Sequence, residues 1–309
     1  MKKSCITRLL PGLYGAGFPF LLACCWAFLV FGWTACSNDP EVDPGRGPEP
    51  DPGGSGGTEE PACHYTPYAS IRLWEDSRRE AGVPTVTTTR TYGFDRGRLV
   101  SASTVQRFTA VEPQTIERHT AVGYAGGRAV VENENDTVAV YRLNAEGYAE
   151  CCEYREGDMI LCFVFEYLVA DDGRHYLTRL AETLRGTETA EIRIEYEDTR
   201  IVRIRRRLPE NGLEQEYTAP VTPEIVNTGG IPCIFLAEMY PISFHSEALY
   251  GRILGEPAGY LVSRFVPGSG DETITYTYRT DAEGLVSSLR ECIRSCETDY
   301  VRTVNYAIE

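Results

Sequence analysis

The chain has 309 residues and a net charge of −15, with 45 acids against 30 Lys and Arg. So acidic a surface excludes nucleic acid as a partner. Lys2 and Lys3 are the only lysines, which excludes a Schiff-base lysine, a P-loop and a Ser-Lys nucleophile pair from the rest of the chain.

The first 35 residues carry Lys2, Lys3 and Arg8 and no acid, then an apolar run from Phe18 to Trp33 that closes on Thr34, Ala35 and Cys36. A basic start, an apolar middle and small residues before a cut make residues 1–35 a signal peptide. The small-small-Cys ending resembles the bacterial lipoprotein box, although Trp33 stands where that box has Leu. The resemblance implies that Cys36 is the lipidated N-terminus and that the protein is held to the membrane through its acyl chains. The competing reading is an uncleaved span over Leu13 to Ala35, against which Pro11, Pro19 and the terminal Cys count. Setting Lys2, Lys3 and Arg8 aside with the leader takes the net charge from −15 to −18.

Residues 36–62 are Pro, Gly and acid with almost nothing to bury, and read as a linker. Gly53, Ser55 and Gly57 match the pattern of a nucleophile elbow, but no strand precedes that serine and no helix follows it, so the match is discarded. Asp39, Glu41 and Asp43 resemble the export signals of surface lipoproteins and read more simply as a solvated spacer.

Residues 63–309 read as a single β-rich domain. β-branched and aromatic residues alternate with polar ones, and a turn holding Gly, Asp or Asn interrupts them every 20 to 30 residues. One phrase recurs: an aromatic pair, a turn, then Gly and an apolar residue. It occurs as Tyr92, Phe94, Gly97, Leu99; as Tyr141, Leu143, Gly147, Tyr148; as Phe165, Tyr167, Gly173, Tyr176; and as Tyr276, Tyr278, Gly284, Leu285, with a degenerate copy at Tyr124 and Gly127. Each Gly is expected at positive φ in a hairpin loop. For the hairpin around Asp198, a two-residue loop would set Ile194 against Arg203 and mix the faces. A three-residue loop, Asp198 to Arg200, pairs Ile194 with Ile204 and Tyr196 with Val202 on one face, and Glu195 with Arg203 and Glu191 with Arg207 on the other. The rhythm breaks over 209–259, where five prolines sit among apolar runs. This insertion cannot be a sheet centre. A short helix is expected over Ser246 to Leu254, with Ser246 as N-cap, and the insertion is expected to cover one opening or face of the sheet. The fold class is therefore all-β: an antiparallel meander of successive hairpins in a strongly curved or barrel-like sheet, with a Pro-rich insertion carrying a short helix.

This layout of lipobox, acidic linker, Tyr-x-Tyr hairpins, Pro-broken middle and closing hairpins resembles Bacteroidetes lipoproteins of uncharacterised role, the domain of unknown function 4595, which is described as porin-like in fold. The resemblance transfers no functional residue. A true outer-membrane barrel is the sharper alternative, with Glu191, Arg193, Glu195 and Glu197 lining a lumen. Against it stand the short strands and the redundancy of a lipid anchor on a barrel.

Beyond Cys36 there are seven cysteines, and an exported chain permits disulfides. A Glu156-Gly157 turn would set Cys151 across from Cys162, within bridging range. The four histidines are isolated, without a second ligand at metal spacing, and read as surface or loop residues. No metal or other cofactor is expected. Arg203, Arg205 and Arg207 share one face of a strand, most simply a salted, solvated face. As a ligand face they would suit an anionic glycan or a carboxylate. The expectation for function is an outer-membrane lipoprotein, on the periplasmic side or the cell surface, that serves as a non-catalytic binding or accessory module for a glycan or a protein. The alternative is a secreted hydrolase whose carboxylates converge from separate loops.

Overall fold

The computed structural model describes residues 68–79, 86–108, 114–134, 136–171, 173–220, 225–269, 272–294 and 299–309. Cys36, the leader and the linker lie outside the described residues, as do Cys63 and Cys296.

The first eight strands are β1 (Ser70–Arg79), β2 (Val86–Asp95), β3 (Arg98–Phe108), β4 (Gln114–Ala125), β5 (Arg128–Asn133), β6 (Asp136–Leu143), β7 (Ala149–Glu156) and β8 (Met159–Val169). They continue as β9 (His175–Leu184), β10 (Thr187–Glu197), β11 (Arg200–Leu208) and β12 (Leu213–Thr218). After an insertion holding the short pair β13 (Ile225–Val226) and β14 (Tyr260–Leu261), the meander resumes with β15 (Arg264–Pro267), β16 (Thr273–Thr280), β17 (Val286–Arg294) and β18 (Asp299–Ile308). Sixteen strands form a closed antiparallel barrel in chain order, with β12 bonded to β15 across the insertion. β18 seals to β1 through pairs such as Leu73 with Tyr306 and Ile71 with Ile308. Closure leaves the meander no open edge.

A chain that turns at alternate ends returns to the same rim once per hairpin, so a phrase repeating every two strands must mark one rim. Gly97, Gly127, Gly147, Gly173 and Gly284 all sit at that rim, and all have positive φ, between 70° and 91°. This is the rim where β1 begins, where β18 ends and where the insertion leaves and rejoins the wall.

The hairpin of β10 and β11 keeps the expected register through Ile194 with Ile204, Glu195 with Arg203 and Glu191 with Arg207. Its tip differs. The loop is the two residues Asp198 and Thr199, both at positive φ, and a bulge at Glu195/Tyr196 absorbs the extra residue, so that Tyr196 meets Ile201 and not Val202. A two-residue loop plus one bulge gives the same register as a three-residue loop.

The insertion differs more. Leu213–Thr218 is a full wall strand, so the irregular segment starts at Ala219 and not at Pro209. It does not cap the sheet from outside; it fills the barrel. Helix α1 (Ile234–Glu238) buries Ile234, Phe235, Leu236 and Ala237. A 3-10 turn follows over Ile242–His245, then helix α2 (Ser246–Tyr250), which stops at Gly251, shorter than the expected run to Leu254. Ser246 is the first residue of α2 and not its cap; its hydroxyl donates to Glu247. The plug touches the wall on every side: Tyr250 stacks on Tyr92 of β2 at 4.2 Å, Phe235 packs on Tyr217 of β12 and Phe265 of β15, and His245 packs edge-on against Phe163 of β8 at 4.3 Å. A wall of sixteen strands is wide enough to leave an aqueous channel. Here inward apolar side chains of wall and plug occupy the upper lumen, and two cavities between them measure about 20 and 10 Å³, room for one water at most.

Three backbone hydrogen bonds strap the plug to the rim: Ala149 N–H to Ile253 O, Glu256 N–H to His175 O, and Gly259 N–H to Thr199 O. Gly255 has φ 95°, and a Cβ there would lie 2.7 Å from the His175 carbonyl oxygen, so the strap can run this close only without a side chain. Asn227 knits the two ends of the plug together, its amide donating to Ile231 O and Ala258 O while its Oδ1 accepts from Ile231 N–H.

Candidate functional site

Strand alternation puts Arg203, Arg205 and Arg207 together on the outer wall, as expected. It also puts their partners there. Arg203 and Arg205 both reach Glu195 (3.1 and 3.3 Å) and Glu216 (3.4 and 2.7 Å), while Arg207 reaches Glu188 and Glu191. One strand pair further round, Arg179 bonds Glu166, Glu188 and Glu191, and Arg193 bonds Glu191. The result is a lattice of alternating charge across β8 to β12. Burial would raise the Glu191 carboxyl, but the hydrogen bonds from Arg193 and Arg179 outweigh it and hold it below its ordinary value. The Arg205 hydrogen bond does the same for Glu216. With each guanidinium already matched by carboxylates, this face has no surplus positive charge for an anion.

The outer face of β8 departs from the lattice. Ile160, Cys162, Val164 and Leu168 are exposed along it. The Cys151–Cys162 bridge does not form. The turn falls at Gly157-Asp158, one residue later than expected, so Cys151 faces Val164 and Cys162 faces Glu153. Both thiols point outward as diagonal neighbours and both are free.

The alternation also carries charge inward. Glu75 is in phase with Ile71 and Leu73, Glu291 with Leu289, and Arg302 with Val304 and Tyr306. These charges meet beneath α1. Arg302, 1 % exposed, lies directly across from Glu291 and donates to it, to Glu75 Oε2 at 3.1 Å, and to both oxygens of Glu238 at 3.0 and 2.6 Å. Arg90 of β2 donates to Glu75 Oε1 at 2.9 Å and lies 3.8 Å from Glu238. Glu238 is the last residue of α1, so Arg302 latches the plug to the wall. Burial opposes the charge on Arg302, but Glu238, Glu291 and Glu75 more than offset it and drive its pKa well up. Three carboxylates face two guanidiniums, and Glu291 absorbs the imbalance: burial raises its pKa, Glu238 raises it further, and Arg302 only partly opposes. Counting charged residues in phase with apolar ones on neighbouring strands would have found this cluster.

His245 is no surface residue. It is fully buried among Tyr141, Tyr154, Phe163 and Phe165, its Nδ1 sharing a 2.8 Å hydrogen bond with the Tyr141 hydroxyl, and burial pushes its pKa down to about 3.

Residues 94–288 match the family described as a domain of unknown function (DUF4595) with porin-like fold. The chain belongs to this family. A porin-like protein from Bacteroides uniformis, solved as a crystal structure, is 38 % identical, with a TM-score of 0.74 over 80 % of this chain and all of that one. A second porin-like protein, from Bacteroides vulgatus, aligns at 11 % identity and a TM-score of 0.44 over 66 % of this chain and 97 % of that one. No curated protein matches the chain. The family's description thus covers the closed antiparallel wall found here and leaves its role open.

Proposed function

We propose that the protein is an envelope lipoprotein tethered through Cys36, whose barrel is a non-conducting, non-catalytic binding or accessory module for a glycan or a protein. The observation that carries this reading is the charged arc of the wall: the ion-pair lattice of β9 to β12, with Glu166 of β8, faces out beside the apolar outer row of β8, and the lumen is filled by the chain's own plug. A barrel set in a bilayer needs an apolar outer band, and each Arg facing lipid at mid-depth costs about 2–4 kcal/mol. A wall built this way suits a domain standing in water beside the membrane that holds its tether, and it acts through its outer surface and its ends.

Two measurements on the full chain test this. Metabolic labelling with a fatty acid should mark the wild type and not Cys36→Ser. The purified protein added to planar bilayers should give no single-channel steps. Stable conductance steps together with label-free Cys36 would reverse the reading in favour of a membrane-spanning barrel.

A further inference from the structure

Five of the nine exposed large apolar side chains among the described residues lie on one strand, β8: Met159, Ile160, Val164, Leu168 and Val169, each between 44 and 56 % exposed. Ile160, Cys162, Val164 and Leu168 point outward in alternation, so they form a row up the height of the wall, about 26 Å from Ile160 to Leu168. Glu166 interrupts the row, and Arg179 bonds that carboxylate at 2.6 Å. The neighbouring lattice shows that this sequence can cover its outer wall with charge. An apolar row of this length beside it calls for something to cover it.

The flanks of the row say what that is. On β7, Glu153 lies across from Cys162 and Glu150 precedes Cys151, so this edge offers carboxylate acceptors. On β9, Thr183 lies across from Cys162 and Arg179 across from Glu166. Arg179 spends three of the five N–H donors of a guanidinium within the lattice, on Glu166, Glu188 and Glu191. One edge therefore presents acceptors and the other keeps donors. A lipid surface fits this poorly, because elements that lie on lipid carry basic residues beside their apolar face, whereas Glu150, Glu153 and Glu166 stand here in a chain of net charge −15. The same surface turned about a two-fold axis along β8 fits it, because the turn lays the β7 edge of each copy on the β9 edge of the other.

We infer that β8 is the seam of a homodimer, in which the outer rows of two copies pack face to face about a two-fold axis parallel to the strand. Each row then meets itself, Ile160 on Ile160, Cys162 on Cys162 and Val164 on Val164, and each Glu166 arrives with its own Arg179 beside it. Glu153 comes level with the second copy's Thr183, and Glu150 approaches the second copy's Arg179. The antiparallel alignment would instead set Glu153 near the second copy's Glu150 and Cys162 on the second copy's Glu166, bringing carboxylates together. A specific interface buries about 1,200–2,000 Å² in total, so the β7 and β9 edges must share the contact with the row. Facing sheets lie about 10 Å apart, too far for a disulfide between the two Cys162 and within reach of a short bismaleimide. The inference is independent of the tether and of any glycan.

The test is thiol cross-linking of the full chain in the cells that produce it, with a short membrane-permeant bismaleimide. The product is read by denaturing gel and by mass spectrometry of the linked peptides. The wild type and Cys151→Ser should give a product of twice the chain mass, joined Cys162 to Cys162, and Cys162→Ser should give none. Val164→Glu sets two carboxylates against each other in the seam and should lower the yield at least about tenfold. Its cellular level should stay that of the wild type, because Val164 is exposed in the single chain. Where Val164→Glu fails to accumulate, Thr183→Glu, which faces the second copy's Glu153, gives the same reading. A dimer linked through another cysteine, or a Cys162 link unmoved by these variants, overturns the seam. No link at all also overturns it. Shielding of Cys162 from a water-soluble maleimide in opened cells would then give the row to lipid, and a link from Cys162 to a different protein would give it to that protein; either result contradicts the inference.

Discussion

The outer lattice of β8 to β12 and the inner cluster beneath α1 are built from the same two residue types in the same cross-strand geometry, and they do opposite things. On the outer wall, Arg203, Arg205 and Arg207 share their carboxylates with water and with each other, so no single pair determines the fold. Inside, Arg302 is the hub for three carboxylates from β1, β17 and α1, and losing it would leave all three buried without a full partner. Identical chemistry serves for solubility on one face and as a latch on the other, because the low polarity of the interior magnifies both attraction and desolvation.

That contrast is broken most easily at Arg302. Arg302→Leu should cost about 3–5 kcal/mol, the penalty for orphaning buried charge, seen as a large fall in the denaturant midpoint. A loss as small as a surface substitution would mean that water already reaches the cluster. Next in size is His245. Its pKa is depressed from 6.5 to about 3, so the folded state refuses a proton that the unfolded chain accepts. Its contribution is full above pH 6.5 and is lost as pH falls, by about 2 kcal/mol at pH 5. His245→Phe should flatten the acid slope of Tm between pH 7 and 5, and an unchanged slope would place the charge uptake elsewhere.

Glu291 should show the opposite sign. Its folded pKa lies above 4.5, so the folded state binds the proton more tightly and stability from this group grows as pH falls toward 4.5. Glu291→Gln should remove that gain and leave the steeper acid loss of His245 exposed. A wild-type slope in Glu291→Gln would show that the charge imbalance is relieved by another group. Smallest of all, Arg205→Ala on the outer lattice should leave Tm unmoved at physiological salt. A clear drop would make the lattice structural and erase the contrast with the interior.

Much of the wall was legible in the sequence for physical reasons. Period-two alternation fixes which side chains share a face, and the recurring glycine phrase marks hairpins whose φ only glycine adopts readily. Tyr92 to Leu99 and Tyr276 to Leu285 therefore read correctly as hairpins. The slip at Gly157-Asp158 was illegible because two turn positions one residue apart suit the same residues, yet they shift the partner of Cys151 from Cys162 to Val164. The plug was read as a cover because proline and apolar runs say only that a segment is irregular and buried. Its place inside follows from the strand count, since sixteen strands enclose more space than their own side chains fill. Glu182 and Tyr240 lie 58 residues apart and meet only because the plug enters one end of the barrel and reaches the other.

The central claim is that the plug is part of the fold and not a movable lid. Hydrogen exchange read by mass spectrometry on the full chain tests it directly. The account predicts that peptides over Ile231 to Leu254 exchange as slowly as those of β17 and β18, and that Arg302→Leu accelerates the plug selectively. Fast exchange of the plug in the wild type beside a protected wall would contradict it and make the plug a movable lid.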